Sequence, residues 1–489
     1  MPIILNHNNA LFLYKLFCTN YFKLLILILF IQLNLFQFPQ ILAQEQTRAK
    51  PVKLHHADIM DVNQSGGQTI RKLIGNVKLE QGDVILMCSE ATEIINQNIV
   101  HLSGNVIINQ SGMVLKSNKI DYDGNRGLAI SDGNIEIIDG TSVLTANRGR
   151  YSTKTMIAEF FVNVKADDDS ATIFADNLTY DRNTKNSYAS GNVTVKGKNT
   201  NTILIGQDVV YIPNDGYMLA TGKPVLFQID TLEQNDSIII TRDTTGFRKM
   251  FSNDTILSAN KKKSNEQTYF PIINLEKKYK FDTLSVIADS MEAFRKYGKE
   301  KYIFIRNVEL VKSKIAAKAD SAVFDMNEEY IKLYGVPIIW FDETQLFADS
   351  TVVFLRRKKL DLIFATGNTI AVTKADSTDS TRINQISGAD LKIIFADDSI
   401  RTIKSWGNAK SLYFVVSDSS SDGAARNSAD SIYIIFDGGA PDKIKWLGGI
   451  QGEFIPENLV VGKTKELYLP NFRWSENKPK RKFLKLNIF

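Results

Sequence analysis

A short sequence pattern recurs along this chain at a fixed interval. Glycine, asparagine and a β-branched residue follow one another in copies that begin at residues 75, 104, 133 and 191, and a degenerate copy, Val162-Asn163-Val164, begins at 162. These starts fit a single interval of 29 residues. Intervals of this length are typical of repeat proteins, in which each unit supplies one supersecondary element to a continuous stack. We therefore expect a stack of similar units rather than two or three ordinary domains.

The pattern continues with looser spacing in the second half of the chain. Later copies are Gly222-Lys223-Pro224-Val225, Arg306-Asn307-Val308, Gly335-Val336-Pro337-Ile338, Gly367-Asn368-Thr369 and Gly407-Asn408-Ala409. A second element lies about 14 to 18 residues upstream of each copy. It consists of a small residue, Asp or Asn, and an aromatic or aliphatic run, as in residues 175–180. Each unit thus contains two strand-like segments separated by turn-forming residues.

Apolar and polar residues alternate within these segments. Val193 and Val195 alternate with Thr194 and Lys196. A period of two is typical of strands with one buried face and one solvated face, and helical periodicity is nearly absent. The predicted fold class is therefore all-β: an elongated, jellyroll-like or solenoid-like stack of short antiparallel strands in two arrays.

The recurring Gly-Asn step has two possible interpretations. Glycine inside a strand usually marks a bulge, a bend or a close backbone approach, and asparagine tolerates left-handed backbone angles. Alternatively, Gly and Asn are also favoured in hairpin turns. The apolar residue directly after the asparagine favours a bend within a strand.

The N-terminal segment predicts secretion. Lys15 and Lys23 precede an apolar run that starts at Leu24, and Ala43 lies near its end, as in a signal peptide. An uncleaved membrane anchor is the alternative, because residues 24–38 could nearly span a bilayer. Cys88 is the only cysteine beyond this segment, which excludes an internal disulfide and predicts a small buried apolar side chain.

The predicted organisation has five parts. These are a signal peptide (1–44), a first array (45–229), an irregular segment or linker (230–282), a second array (283–455) and a C-terminal tail or cap (456–489). In the tail, Phe472 and Trp474 precede several lysines. They predict either an aromatic anchor at an anionic membrane surface or, as we favour, a packed end cap.

The sequence offers little chemistry for catalysis. No His or Cys cluster has metal-ligand spacing, and no nucleotide-binding loop or nucleophile motif is found. We therefore expect no enzyme, no cofactor and no metal. Asp167-Asp168-Asp169 could contact calcium, but a solvated turn is favoured because the other ligands of a calcium loop are missing. The net charge of +5 is too small for the one-sided basic surface of a nucleic-acid-binding protein.

The leader, the all-β repeat, the Gly-Asn-Val steps and strands such as 175–180 together resemble the OstA/LptA family of lipopolysaccharide-transport proteins, in its long multi-module form. The resemblance covers 50–230 well and 283–455 more loosely. It implies two facing strand layers, an apolar interior that accepts the acyl chains of lipopolysaccharide, and a periplasmic, outer-membrane-associated location. It also implies partners, namely other transport proteins joined by edge-strand addition and an outer-membrane translocon.

Matching positions in the repeat predict which residues line this interior and contact lipid. They are Val77, Leu79, Val106, Ile108, Ile120, Tyr122, Ile135, Ile137, Leu178, Tyr180, Val193, Val195, Val225, Phe227, Val308, Leu310, Ile338 and Trp340. The alternative is that these residues form a dry, closed core.

Two other functions stay open at this point. An extracellular β-helix enzyme acting on polysaccharide would need several carboxylates clustered on one face, and Asp176 and Asp320 would then be essential. A structural scaffold that spaces its partners would need no groove.

Overall fold

The computed structural model describes residues 50–233, 237–241, 272–276, 279–375, 379–396, 399–417, 420–438 and 440–480. The predicted signal peptide and most of the segment between the arrays lie outside these residues, and the predicted array boundaries stay predictions. Thirty described strands form one antiparallel sheet, and two more form a separate pair. The all-β prediction is therefore confirmed.

The strands of the first half of the sheet follow one another with short connections. They are β1 (Lys53–His56), β2 (Ile59–Ser65), β3 (Gln68–Gln81), β4 (Val84–Ile94), β5 (Ile99–Gln110), β6 (Met113–Asp123), β7 (Leu128–Ser131), β8 (Ile135–Asp139), β9 (Ser142–Ala146), β10 (Arg148–Ser152), β11 (Ile157–Asp167), β12 (Ala171–Asp181), β13 (Ser187–Gly197), β14 (Thr202–Ile212), β15 (Tyr217–Thr221) and β16 (Val225–Glu233).

The second half continues the same sheet after the separate pair. Its strands are β17 (Ser237–Thr241) and β18 (Ile272–Glu276), which form that pair, and then β19 (Tyr279–Ile287), β20 (Ser290–Lys296), β21 (Lys299–Lys312), β22 (Ile315–Asp325), β23 (Tyr330–Tyr334), β24 (Ile338–Phe341), β25 (Thr344–Phe347), β26 (Ser350–Arg356), β27 (Lys359–Lys374), β28 (Ile383–Ala396), β29 (Ser399–Ser417), β30 (Ser420–Asp437), β31 (Ala440–Leu447) and β32 (Gln451–Pro456).

Helical structure is confined to short turns in the described ranges. They are α1 (Glu457–Val460) and three 3-10 turns at Ile95–Gln97, Pro213–Asp215 and Thr464–Leu467. None of these helices is long and apolar enough to cross a membrane.

The sheet divides into two ladders that share the long strands. In β3, residues 68–74 pair with β2 and with the C-terminal half of β4, and we call the series of such pairs ladder A. Residues 77–81 of β3 pair with β1 and with the N-terminal half of β4, and this series is ladder B. Shorter strands belong to one ladder only: β2, β7, β10, β15, β20, β23, β26 and β31 to ladder A, and β1, β8, β9, β16, β19, β24, β25 and β32 to ladder B.

The Gly-Asn steps lie at the corner between the two ladders. Gly75 and Asn76 have φ angles of 79° and 45°, and together they face one residue of β4, Ser89. The same shift in register occurs in β5, β11, β13, β21, β27 and β29. Two residues opposite one define a β-bulge, which bends the strand. The prediction of a bend within strands is thus confirmed for these copies; at the copies beginning at 133, 222 and 335 the strand is interrupted at the corner instead.

One apolar core lies between the ladders. The burial pattern of β12 alternates within each half and changes phase at the corner, so both halves turn their apolar side chains inward. The core includes fully buried large side chains such as Tyr122, Phe160 and Phe304. Burying a side chain of this size stabilises the fold by about 1.5–3 kcal/mol. Cys88 is buried here as a free thiol, as expected, and burial raises its pKa to about 11.

A second core covers the outer face of ladder B near the C-terminus. Val460 and Leu469 of the tail pack against a group of buried apolar side chains that includes Ile370 and Phe414. Trp474 lies at the edge of this cluster. The part of the tail that the structure describes is therefore packed against the sheet, as the end-cap interpretation expected.

Candidate functional site

Most residues predicted to line the interior lie in the core between the ladders. Fourteen of them belong to this one cluster and are at most 5% exposed: Val77, Leu79, Val106, Ile108, Ile120, Tyr122, Ile135, Ile137, Leu178, Tyr180, Val193, Val195, Val308 and Leu310. The inward orientation predicted for these residues is correct. Their contact with lipid stays a prediction.

Four predicted residues do not face this interior. Leu226 and Ile339 belong to the main core, whereas Val225, Phe227, Ile338 and Trp340 do not. Trp340 lies instead in a small separate cluster on the other face of β24, against which Ile338 packs.

A proline in the repeat explains this error. In the copies beginning at 222 and 335, Pro224 and Pro337 occupy the position that valine occupies in Gly-Asn-Val, and both are buried. The residue after each proline therefore points outward. Since side chains alternate along a strand, a shift of one residue reverses every orientation that follows.

Each ladder ends, on the side away from the corner, in a row of strand ends that we call its free edge. In the first array, hydrogen bonds join the free edges of the two ladders and close the interior. Four tyrosines of ladder A each bond to a polar side chain at the far end of ladder B, 41 residues earlier. We call this row the tyrosine seam: Tyr122 to Gln81 (2.6 Å), Tyr151 to Gln110 (2.7 Å), Tyr180 to Asp139 (2.9 Å) and Tyr211 to Ser170 (2.6 Å). Burial raises the pKa of all four phenols, so the hydroxyl groups stay protonated at neutral pH.

Charged groups reinforce the middle of the seam. The carboxylate of Asp139 also pairs with Lys185 (2.5 Å) and with Arg182 (3.3 Å). Arg182 is nearly inaccessible and donates a further hydrogen bond to the hydroxyl of Tyr151 (3.2 Å). Burial alone raises the pKa of Asp139, but hydrogen bonds from Lys185 and Tyr180 and the charge of Arg182 outweigh that effect, and the pKa is lowered. The carboxylate is therefore ionised at neutral pH.

The equivalent positions of the second array carry no tyrosine. Each seam tyrosine lies four residues after the residue that faces the corner on its own strand. In the second array this position is occupied by Ala293, Phe324, Val353, Ile393 and Ile434. Phe341 replaces the polar residue at the end of ladder B, and its ring makes an edge contact with Phe395 of ladder A at 4.7 Å between centroids. At this unit the free edges are thus joined by apolar contact, whereas elsewhere in the second array Trp446 donates a hydrogen bond to Ser411 across the ladders at 3.3 Å.

A cavity of about 460 Å³ lies between the ladders next to this apolar region. Its apolar wall from ladder A consists of Ile400, Ile403, Ile434, Phe436, Pro441, Ile444 and Trp446. Phe341, Ala371 and Ile386 of ladder B form the opposite wall. Pockets that bind small molecules have volumes of about 300–1,000 Å³ and mostly apolar walls. This cavity is the candidate site of the second array.

Sequence reasoning missed the cavity residues. The Gly-Asn pattern identifies the corner of each unit, whereas the cavity lies at the free edges. There the signal in the sequence is that the tyrosines of the first array have no equivalent in the second. Replacement of tyrosine by Ile393 and Ile434 at a fixed distance from the corner could have indicated it.

The acidic residues considered for other functions have structural partners. Asp168 accepts hydrogen bonds from the backbone and hydroxyl of Ser170, which makes residues 167–170 a turn, as favoured over a calcium site. Asp176 accepts a hydrogen bond from the side-chain amide of Asn192 at 2.8 Å. Asp320 packs against Gly335, where any β-carbon would overlap its carboxylate. These carboxylates stabilise the corner of the sheet.

Comparison with known families agrees with this architecture. Residues 49–199 match the model of the OstA-like protein family. Residues 172–359 match that of the LptA/(LptD N-terminal domain) LPS transport protein family, so the two matches overlap and together extend from 49 to 359. No curated protein matches the chain. Both families are transport or binding proteins. The chain is therefore OstA/LptA-like, and the two matches support more than one module of this lipopolysaccharide-transport type.

Proposed function

We propose that this protein acts in the periplasm as a carrier or bridge for lipopolysaccharide and holds the acyl chains between ladders A and B. The cavity of about 460 Å³ in the second array carries this proposal, because apolar side chains of both ladders line it without filling it. Each methylene group that leaves water for such a site stabilises the complex by about 0.8 kcal/mol.

The two arrays contribute differently to this function. In the second array, the apolar contact between Phe341 and Phe395 can separate without leaving hydrogen-bonding groups unpaired. In the first array, the tyrosine seam must open before a chain can enter. We therefore propose that lipid first occupies the second array and reaches predicted contacts such as Val106 and Tyr180 only when the seam opens.

Strands at both ends of the sheet support docking to other transport proteins. Among the described residues, β2 pairs only with β3, and β31 pairs only with β30. Ile59, Met60 and Val62 of β2 are 49–58% exposed, and Leu447 of β31 is 48% exposed. Unpaired strand edges with exposed apolar side chains are suited to strand addition. We propose that the translocon and other transport proteins bind at these edges.

Photo-crosslinking tests the lipid site. A benzoylphenylalanine at Ile434, which lines the cavity, should capture lipopolysaccharide in cells. The matched control is the neighbouring Tyr433, which points to the opposite face of β30 and packs on Lys404 at 4.9 Å. Capture at 434 and not at 433 supports the proposal. Equal capture at both positions, or none at either, would contradict it.

A further inference from the structure

The corner of the sheet contains a regular pair of polar side chains. In four units the second residue of the Gly-Asn step, or of its equivalent, is an asparagine whose amide donates to an aspartate at the preceding corner. These pairs are Asn76 to Asp58 (3.0 Å), Asn192 to Asp176 (2.8 Å), Asn307 to Asp289 (2.9 Å) and Asn368 to Asp349 (3.0 Å). Each aspartate thereby accepts a hydrogen bond from the asparagine that faces it.

Three consecutive units of the first array lack this pair. The residues that take the place of the aspartate before the steps at 104, 133 and 162 are Ser89, Asn118 and Asn147. A cleft of about 570 Å³ opens at this part of the corner. Five asparagines line it: Asn105, Asn118, Asn134, Asn147 and Asn163.

The amides of these asparagines are available to a ligand. All five residues are exposed, and none of their side-chain amides is paired with another residue in the part of the chain that the structure describes. Each amide offers two N–H donors and one carbonyl acceptor.

A left-handed backbone explains two of the five asparagines. Asn105 and Asn163 have φ angles of 49° and 55°, a left-handed conformation that asparagine tolerates. Asn118, Asn134 and Asn147 do not have positive φ angles. Asn118 moreover lies inside β6, and asparagine is depleted in strands. Asn134 and Asn147 lie in the breaks between strands, where asparagine is common, so Asn118 is the position at which the local fold gives no reason for an amide.

We propose that this cleft binds a stretch of neutral glycan. Sugar hydroxyl groups both donate and accept hydrogen bonds, as carboxamides do, and amides on successive strands recur at about the 4.8 Å strand spacing along the corner. The two charged residues of the lining, Lys116 and Glu136, pair with each other at 2.8 Å. Because they neutralise each other, the cleft has no net charge to attract a phosphate or a nucleic acid. Ile107, a partly exposed apolar residue of the lining, suits the C–H faces of sugar rings.

This site is separate from the interior between the ladders, so it does not depend on the proposed lipid site. The glycan could be attached to a lipid or belong to a free polysaccharide. Two probes distinguish these sources: the lipid-free oligosaccharide that mild acid releases from lipopolysaccharide, and dextran as a free neutral polysaccharide. Binding of each to the purified protein is measured by saturation-transfer difference NMR and by calorimetry.

The decisive variant restores the aspartates found in other units. Asn118→Asp with Asn147→Asp should keep the fold, because aspartate is the residue that the repeat uses at these positions, and should weaken glycan binding at least tenfold. Asn118→Ala with Asn147→Ala should weaken it similarly. The matched control is Asn109→Ala, on the same strand as Asn105 but outside the cleft, which should leave the affinity unchanged.

Each outcome decides the proposal. Cleft-dependent binding of the released oligosaccharide alone indicates a glycolipid, binding of dextran alone indicates a free polysaccharide, and binding of both indicates a site for neutral glycans in general. No binding of either probe, or binding that survives both double substitutions, overturns the proposal. Capture of lipid at position 434 reports separately on the interior.

Discussion

Removal of one seam hydroxyl should loosen the first array by a predictable amount. Tyr151 is fully buried, and its hydroxyl donates to Gln110 at 2.7 Å and accepts from Arg182 at 3.2 Å. In Tyr151→Phe both partners lose this hydroxyl inside the protein. A buried polar group that loses its partner costs about 1–3 kcal/mol, and more when the group is charged. Since Arg182 carries a charge, we expect a loss of about 2–3 kcal/mol.

The matched control removes the same atom from the surface. Tyr188 is 48% exposed, and its hydroxyl donates to Asp208 at 3.1 Å. Water replaces that hydrogen bond in Tyr188→Phe, so the change should remain within about 0.5 kcal/mol.

Hydrogen exchange followed by mass spectrometry is the suitable assay, because long repeat arrays do not unfold in a single two-state step. A loss of about 2–3 kcal/mol corresponds to roughly 30-fold to 150-fold faster exchange in peptides from β5 and β10. Distant peptides, such as those from β28, should be unchanged. Equal effects of Tyr151→Phe and Tyr188→Phe, or uniform loosening of the whole sheet, would refute this role of the Tyr151 hydroxyl.

Three further substitutions test other parts of the structure. The pKa of Asp139 is lowered in the folded protein, so its contribution to stability is complete above the unfolded pKa of about 3.9 and is lost as the pH falls through the folded value. Asp139→Asn should therefore make the free energy of unfolding less dependent on pH in this acid range, as measured by unfolding at a series of pH values. Gly191→Ala should destabilise more than Gly112→Ala in thermal melts, because both glycines have positive φ but only the first would place a β-carbon against a carboxylate, 2.6 Å away. Leu469→Ala should cost about 2–5 kcal/mol in urea unfolding, whereas Leu459→Ala, at an exposed position, should cost less than about 0.5 kcal/mol.

The regular spacing of the corner made the fold predictable. The corner of most units has residues with positive φ, which favours glycine and asparagine, and one or both of these residues are visible in the sequence at each copy. The inward residues follow from the position after the bulge. In two copies Pro224 and Pro337 take that inward position. The sequence pattern therefore assigns the aliphatic residue that follows each proline to the inner face of the strand, although it lies on the outer face.

The free edges of the ladders were not predictable from the same pattern. Tyr180 and Asp139 are 41 residues apart and come together only because the sheet folds over at the corner. No local rule of strand or turn formation relates such residues. The cavity beside Ile434 is harder still to predict, because it depends on the space that side chains from both ladders leave unfilled.

The strength of the tyrosine seam determines whether lipid can enter the first array. Opening one unit of the seam exposes its hydrogen bonds at a cost of about 1–3 kcal/mol. Each buried methylene contributes about 0.8 kcal/mol. Two to four methylenes therefore offset one seam unit, and an acyl chain several times longer can open successive units as it advances. Without lipid, nothing offsets that cost and the interior stays closed.

Lipid capture in a weakened seam tests this balance. A photo-crosslinker at Val106, in the filled core of the first array, should capture more lipopolysaccharide when Tyr151→Phe lowers the cost of opening. Tyr188→Phe should leave capture at 106 unchanged. If neither substitution changes capture at 106 while capture at Ile434 remains strong, lipid is confined to the second array and the first array is a closed structural element.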